Sequence, residues 1–239
     1  AMTAKRNFRK HVWWILPCAF AILTACGGGG SDNDADRQRS YTIELTNLTA
    51  NQPLSPAALV FHRPSFSLWA SADSAGSKLE VLAESGDPQP FLDAAAADGA
   101  VVDTLAGSGV IPPGDGESFA ISFSAGESIA LTLATMLVNS NDAFAGISGA
   151  EVPSLAVGES RSWYLPAYDA GTEANTETAA TIPGPAAGGE GFNAARDDVD
   201  RVAVHPGVIS SQDGHALSAL DGSHRWDNPV LKVDLVRTE

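Results

Sequence analysis

Residues 118–134 read SFAISFSAGESIALTLA, and this stretch decides the fold class. Large apolar side chains occupy every second position on both sides of Ala125-Gly126. They are Phe119, Ile121, Phe123, Ile129, Leu131 and Leu133. Successive side chains of a β-strand point to opposite faces of a sheet, so the pattern predicts two half-buried antiparallel strands, with a tight turn after the first.

The same alternation recurs near the start and near the end of residues 41–239. It places Tyr41, Ile43, Leu45, Leu231, Val233 and Leu235 on buried faces. Residues 59–62 and 162–165 are shorter strand candidates, whereas residues 77–84 and 90–97 have the spacing of short helices. We therefore predict an all-β fold, an antiparallel β-sandwich with short helical insertions, over residues 41–239. Residues 166–201 lack strand periodicity and are predicted to form a long loop, either functional or disordered.

The N-terminal residues have the layout of a secretory signal. A basic patch at residues 5–10 precedes an apolar run at residues 12–23, which Pro17 interrupts. A membrane-spanning helix needs about 20 apolar residues, so this run is too short for a permanent anchor. We predict a signal peptide at residues 1–25.

Leu23-Thr24-Ala25-Cys26 resembles the lipobox of bacterial lipoproteins. The resemblance implies cleavage before Cys26, lipidation of its thiol and stable attachment to a membrane by several acyl chains. Gly27 rather than Asp follows the cysteine, which resembles the signal for the outer membrane of the bacterial cell envelope. Residues 26–40 are rich in Gly and polar residues and are predicted to form a flexible tether.

Composition and motifs exclude several classes of function. The net charge is −15 and no Lys or Arg cluster follows residue 10, so we expect no nucleic-acid partner. The sequence has no nucleophile elbow, zinc-protease helix, phosphate-binding loop or Cys-x-x-Cys pair. A hydrolase would depend on isolated histidines in unremarkable contexts, namely His62, His205, His215 and His224. We therefore expect the protein not to be an enzyme.

Acidic side chains follow two predicted strands at the point where each strand ends. Asp142 comes after the first, and Asp169 and Glu173 come after the second. Carboxylate oxygens from neighbouring strand ends suit a hard cation such as Ca²⁺. Asp and Asn also occupy turns because they hydrogen-bond their own backbone, and on spacing alone this second interpretation is favoured.

Three stretches resemble the N-terminal domain family of spondins, which are secreted adhesion proteins, and its bacterial relatives. They are Asn-Asp-Ala-Phe-x-Gly at residues 141–146, Tyr-Asp-Ala-Gly-Thr-Glu at residues 168–173 and Trp-Asp-Asn-Pro-Val at residues 226–230. Residues 42–54 also resemble the opening of the family. The resemblance implies a sandwich of about eight strands, related to calcium-dependent phospholipid-binding domains, with a Ca²⁺ site near these acids.

Carried over to this sequence, Asp142 and Asp169 match the metal-binding aspartates of the family, and Glu173 stands where animal members have Asp. The resemblance therefore favours Ca²⁺ held by Asp142, Asp169 and Glu173. It implies an adhesion or ligand-binding role. The sequence lacks the cysteines of the animal members, so neither a shared disulfide nor a shared partner follows from the resemblance. The partners we expect are an extracellular protein, a glycan or a lipid headgroup, and because the chain is acidic an anionic headgroup would need Ca²⁺ as a bridge.

A carbohydrate-binding module is the main alternative, because aromatic side chains can stack on sugar rings. The candidates are Trp69, Trp163, Tyr164 and Trp226. Each lies in or beside a strand, where burial is favoured. Trp163 and Tyr164 are adjacent in a predicted strand, so their rings face opposite sides and at least one is expected to face outward.

Overall fold

The computed structural model describes residues 37–239, which contain ten β-strands and two α-helices. The strands are β1 (Gln38–Asn47), β2 (Ala58–His62), β3 (Val101–Ala106), β4 (Gly116–Ser124), β5 (Ala130–Met136), β6 (Ala143–Glu151), β7 (Ser160–Leu165), β8 (Ala167–Asp169), β9 (Ala203–Val204) and β10 (Leu231–Arg237). The helices are α1 (Ser77–Ser85) and α2 (Gln89–Ala96). The predicted signal peptide, Cys26 and the tether as far as residue 36 lie outside the described residues, and the last three residues of the predicted tether, 38–40, belong to β1.

The strands form two antiparallel sheets. One has four strands in the order β4-β1-β10-β7, and the other has six in the order β3-β2-β5-β6-β8-β9. The predicted all-β antiparallel sandwich with short helical insertions is confirmed. The strand β1 begins at Gln38, three residues before the predicted start of the domain, because Gln38 and Arg39 continue the pairing with Ser124 and Phe123 of β4.

The core between the sheets is built from the alternating apolar residues. Ile43 and Leu45 of β1 pack with Leu131 and Leu133 of β5, and all four are at most 1% exposed. The strand β5 is buried along its whole length because α1 and side chains such as His62 cover its second face, while α2 packs over β2 and β3. The six-stranded sheet is therefore enclosed on both sides around β5, which explains why Thr132 and Thr135 are as buried as their apolar neighbours.

The helices α1 and α2 cover the outer face of the six-stranded sheet. Leu79 and Leu82 of α1 and Phe91 of α2 pack against Val60 of β2 and Phe144 of β6. Gly86, with φ of +72°, ends α1 in the left-handed conformation that glycine adopts without strain. The insertion therefore forms a third layer and a second apolar core. No helix in residues 37–239 has the length and hydropathy needed to cross a membrane.

Residues 170–229 are mostly irregular but folded. A small cluster of Ile182, Val208 and Leu220 stabilises them, and these side chains are at most 5% exposed. The predicted absence of strands in residues 166–201 is wrong at one place, since the short strand β8 lies there and pairs with β6. Three residues are too few to show periodicity, and pairing with a buried neighbour defines this strand.

Candidate functional site

Asp142 ends the tight loop that joins β5 to β6. The amide of Leu137 donates to the carbonyl of Ala143 at 2.8 Å. The hydroxyl of Ser140 donates to the carbonyl of Leu137 at 2.6 Å and accepts from the amide of Ala143 at 3.1 Å. Asn141 and Asp142 are at most 1% exposed. The loop is therefore fixed by its own hydrogen bonds, and its polar residues are buried rather than solvated.

The pairing of β6 with β8 places Asp169 beside Asp142. Ala143 lies opposite Asp169 in the ladder, and the amide of Ala170 donates to the carbonyl of Asp142 at 3.3 Å. The next turn returns to the same carboxylate. Oδ2 of Asp142 accepts from the Thr172 amide at 2.8 Å, the Thr172 hydroxyl at 3.2 Å and the Glu173 amide at 3.1 Å. The structure thus brings Asp142, Asp169 and Glu173 together at one end of the six-stranded sheet.

Two carboxylate oxygens of this group are buried without compensation. Asp142 Oδ1 and Glu173 Oε2 have no hydrogen-bond partner among residues 37–239, although Asp142 is 0% and Glu173 is 9% exposed. Burial raises the pKa of Asp142 to about 7, and the charge of Asp169 adds to the rise. Burial and the charge of Glu84 raise the pKa of Glu173 to about 8. The surrounding protein groups therefore do not balance the negative charge that these two carboxyl groups acquire when they lose their protons.

Asp169 is joined to a buried histidine through Asn175. Its Oδ1 accepts from the Gly171 amide at 2.7 Å, and its Oδ2 accepts from Asn175 Nδ2 at 2.6 Å. Because Nδ1 of His205 accepts from the Gly207 amide, Nε2 carries the proton and donates to Asn175 Oδ1 at 3.1 Å. Burial lowers the pKa of His205, which favours the neutral ring. His205 therefore orients Asn175 and, through it, the carboxylate of Asp169.

Two further buried glutamates border the site and were not found from the sequence. Glu84 of α1 is 1% exposed, and its Oε2 accepts from the Asn193 amide at 2.8 Å while burial raises its pKa. Glu177 is 2% exposed, and its amide donates to Asn141 Oδ1 at 3.1 Å. The only sequence signal for Glu84 is its place on the apolar face of a predicted helix. Nothing in the local sequence distinguishes Glu177.

The three predicted ligands do not form a complete coordination group by themselves. Within the described part of the chain, no three His, Cys, Asp or Glu side chains are arranged as a ready group of metal ligands. Asp169 uses both carboxylate oxygens in hydrogen bonds, so the oxygens that remain free belong to Asp142 and Glu173. The same hydrogen-bond network also contains the amide oxygens of Asn141 and Asn175 and the hydroxyl of Thr172.

The histidines considered for hydrolysis have structural hydrogen bonds. His62 is buried and bonds through Nε2 to the Thr132 hydroxyl at 2.8 Å. His215 Nε2 bonds to the carbonyl of Thr176 at 2.8 Å. Ser223 donates to Asp221 at 2.5 Å rather than to His224. In residues 37–239 no serine hydroxyl is hydrogen-bonded to a histidine ring, and the absence of catalysis stays a prediction.

The aromatic candidates differ in exposure. Trp69 is 5% exposed, and Trp163 and Trp226 are half-buried against the main core. Tyr164 is 60% exposed, so the prediction that one ring of the Trp163–Tyr164 pair faces outward is confirmed. Arg161 covers Trp163, with its guanidinium carbon 5.9 Å from the ring centroid. None of these contacts places several of the four rings in one exposed stacking surface.

The protein is a β-sandwich domain with an acidic site at its strand ends. Its two sheets are antiparallel, and buried carboxylates lie together at the ends of β5 and β8. The Spondin_N family model matches residues 48–185, more than half of the chain, and the chain therefore belongs to the Spondin_N family. The matched range includes Asp142, Asp169 and Glu173. The predicted spondin resemblance is thus confirmed, whereas the lipoprotein resemblance stays a prediction. No curated protein matches the chain.

The buried Glu177 predicts a pH dependence that can be isolated by mutation. Oε1 of Glu177 accepts from the Ile209 amide at 3.1 Å, and Oε2 has no partner among the residues described. Burial raises its pKa to about 7, although the Ile209 amide and the charge of His215 oppose the rise. The folded state therefore binds the proton of Glu177 more tightly than the unfolded state does. The stability that this proton contributes is fully present below about pH 4.5 and is lost as the pH rises through 7.

We therefore expect Glu177→Gln to flatten the pH dependence of stability. In urea unfolding with EDTA present, the Gln variant should gain stability relative to the wild type between pH 5 and pH 8. Glu151→Gln, at an exposed position at the end of β6, is the control and should leave the profile unchanged. An equal difference between Glu177→Gln and the wild type at both pH values would contradict the role assigned to Glu177.

Proposed function

We propose that this chain is a calcium-binding spondin-type module of the bacterial cell envelope, with an adhesion or ligand-binding role and no catalytic activity. The observation that carries the proposal is the pair of buried carboxylate oxygens, Asp142 Oδ1 and Glu173 Oε2, that lack hydrogen-bond partners within residues 37–239. A buried anionic oxygen without a partner is costly, and proteins accept this cost mainly where a ligand or an ion completes the site.

The donor chemistry fits Ca²⁺. All candidate side chains offer oxygen, and Ca²⁺ binds six to eight oxygens at about 2.3–2.6 Å in a flexible geometry. Asp142, Asp169 and Glu173 would hold the ion, and Asn141, Asn175 and Thr172 are the neighbouring oxygen donors. When bound, Ca²⁺ neutralises the clustered carboxylates. Its affinity is expected to rise with pH, because Asp142 and Glu173 must release protons.

Calcium bound at this site would join two separate segments of the chain, because the acids lie on both of them. Asp142 belongs to the β5–β6 loop, Asp169 is the last residue of β8, and Glu173 lies in the segment that follows β8. Without an ion, hydrogen bonds to Asp142 Oδ2 join these segments. Ligation of both segments by one ion would fix the long irregular region 170–229 against the sandwich, and this surface is where we place the adhesion or ligand-binding role.

The location is part of the same proposal. It is supported by the basic patch, the apolar run and the lipobox-like Leu23-Thr24-Ala25-Cys26. Cys26 would carry the lipid, and the outer membrane is the favoured site because Gly27 follows it. The partners would be the membrane, through this anchor, and an extracellular protein, a glycan or a calcium-bridged lipid headgroup.

Calcium should stabilise the full-length chain measurably. At a Ca²⁺ concentration about 100 times Kd, binding to the folded state alone adds about 2.7 kcal/mol, which corresponds to a rise in Tm of roughly 5–10 °C for a domain of this size. Melting in millimolar Ca²⁺ and in EDTA measures the rise, and titration calorimetry measures the binding directly.

Two variants and a control make this test specific. Asp142→Asn and Asp169→Ala should each abolish the Ca²⁺-dependent rise, whereas Asp103→Asn, at an exposed aspartate of β3 in the same sheet, should preserve it. Equal melting of the wild type in Ca²⁺ and in EDTA, with no heat of binding, would overturn the calcium proposal.

A further inference from the structure

We infer that Glu84, in the last turn of α1, is a further carboxylate ligand of the proposed calcium site, so that the ion also holds the helical insertion. The inference rests on the proposed function, because it adds one residue to that site. Asp142, Asp169 and Glu173 come from the strand ends of the six-stranded sheet, whereas Glu84 comes from the layer that covers its outer face. Glu84 would therefore connect the insertion to the ion.

The side chain of Glu84 has the same unpaired oxygen as the carboxylates of Asp142 and Glu173. Glu84 is 1% exposed, and its Oε1 is buried without a hydrogen-bond partner among residues 37–239, as Asp142 Oδ1 and Glu173 Oε2 are. Its other oxygen, Oε2, accepts from the Asn193 amide at 2.8 Å. A buried carboxylate oxygen is costly unless another group or an ion completes it. Glu84 therefore offers one anchored oxygen and one free oxygen.

The fold places the end of α1 at the same end of the six-stranded sheet as the acidic site. Gly86 follows α1, and a Cβ there would lie 2.8 Å from Ser55 Cβ and 3.7 Å from Met136 Sδ. Met136 is the last residue of β5, and the loop that begins after it carries Asp142. The last turn of α1 therefore lies where the acids meet.

Electrostatic interactions place the carboxylate of Glu84 beside the other acids. Of the acidic groups that raise the pKa of Glu173, Glu84 acts more strongly than Asp142. The Thr172 hydroxyl donates to Asp142 Oδ2 at 3.2 Å, and its side chain also acts on Glu84, where it opposes the rise in pKa that burial causes. Glu84, Glu173 and Asp142 therefore lie close together beside Thr172, and each has one unpaired buried oxygen.

The cationic side chain that acts on Glu84 is already bonded to other acids. Arg196 donates to both carboxylate oxygens of Glu80 and pairs with Asp200. A bound cation would supply the missing positive charge, and Ca²⁺ accepts six to eight oxygens in a flexible geometry. Because the acids of the described residues do not form a ready group of ligands, we expect Glu84 to turn its free Oε1 toward the ion when it binds.

Glu84→Gln tests the role of this carboxylate, because its effect on Tm should depend on calcium. Gln keeps an oxygen that can accept from the Asn193 amide and removes a negative charge beside Glu173. In EDTA at pH 8, the full-length variant should therefore melt at or above the wild-type Tm. In millimolar Ca²⁺ the Ca²⁺-dependent rise should shrink, and calorimetric titration should give a Kd at least about ten times weaker. A side chain that only supports the fold would lower Tm equally in both conditions.

Glu190→Gln is the matched control. Glu190 is exposed, and its Oε2 accepts from Asn193 Nδ2 at 3.4 Å. The substitution removes one negative charge beside the same loop residue, but from the surface of the protein. It should therefore bind Ca²⁺ with the wild-type Kd.

A crystal structure of the wild type with Ca²⁺ decides the question if Glu84→Gln does not fold. Oε1 of Glu84 should then lie about 2.3–2.6 Å from the ion. Equal Kd values for the wild type and a folded Glu84→Gln, or an ion that Glu84 does not contact, would overturn this inference and leave the calcium proposal intact. Absence of Ca²⁺ binding by the wild type would overturn both.

Discussion

Replacing Gly171 by alanine is expected to lower the free energy of unfolding by roughly 2–4 kcal/mol, because two independent costs add. Gly171 has φ of +70°, a conformation that side chains with a Cβ rarely adopt. A Cβ at this position would also lie 2.5 Å from the carbonyl oxygen of Arg201 and 2.6 Å from its amide nitrogen. Both contacts are with backbone, so no side chain can rotate to relieve them.

The surrounding hydrogen bonds prevent Gly171 from moving away. Its amide donates to Asp169 Oδ1 at 2.7 Å, and its carbonyl accepts from the Asp200 amide at 2.7 Å. A shift here would also displace the amides of Thr172 and Glu173 from Asp142. We therefore expect the variant to lose calcium affinity as well as stability.

Gly114→Ala is the matched control for Gly171→Ala. Gly114 has a similar φ of +79°, but a Cβ there meets nothing within 4 Å. Only the conformational cost of about 1 kcal/mol remains. Urea unfolding of both variants at 25 °C separates the steric cost from the conformational one. If the two variants lose the same stability, the close approach of Arg201 to Gly171 does not constrain the fold.

Replacing Arg196 by methionine is expected to cost about 3 kcal/mol. Arg196 donates from Nε and Nη2 to the two carboxylate oxygens of Glu80, at 2.9 and 2.8 Å. It also donates to the carbonyl of Ala75 at 2.7 Å and pairs with Asp200. Glu80 is 4% exposed, so removal of the guanidinium leaves a carboxylate buried on α1 without its partner.

The double variant tests this explanation. Arg196→Met with Glu80→Met removes both charges, and should be more stable than Arg196→Met alone because no unpaired charge remains. Arg63→Met is the surface control. Arg63 pairs with Glu127, but their side chains are 51% and 33% exposed, so the loss should be under about 1 kcal/mol. A double variant that is less stable than Arg196→Met would show that packing, not charge, explains the effect.

The loop held by Arg196 also borders the acidic site. The amide of Asp197 donates to the carbonyl of Thr172 at 3.2 Å, and Oδ1 of Asp197 accepts from the Ala174 amide at 2.8 Å. The helical insertion is therefore coupled to the segment that carries Glu173. We expect calcium affinity to fall in Arg196→Met and to recover in part in the double variant.

Much of the fold follows from local sequence patterns. The alternating residues of β1, β4, β5 and β10 predicted their strands, and the two helices lie within one residue of their predicted bounds. The strand β6 escaped prediction because Gly146 and Gly149 interrupt its apolar pattern and its first four residues are fully buried. The strand β5 is also buried on both faces, but its large apolar residues alternate with Ala130, Thr132 and Ala134, and β6 has no such alternation of size.

The candidate site was predicted in part. Asp142, Asp169 and Glu173 were singled out at strand ends, and the pairing of Ala143 with Asp169 brings them together. Glu84 and Glu177 could not be found, because they approach from α1 and from an irregular segment whose positions depend on tertiary packing. Their burial, rather than their sequence context, distinguishes them.

The sequence by itself determined the two-sheet sandwich, its inserted helices and the acidic character of the strand ends, since side-chain alternation and turn composition are local properties. The tertiary structure alone decided which acids share a site and how the helical insertion reaches it. The strand order β5-β6-β8 sets Asp142 against Asp169, and the packing of α1 against β5 brings Glu84 beside Glu173. These contacts join residues far apart in the chain, so only the folded arrangement specifies them.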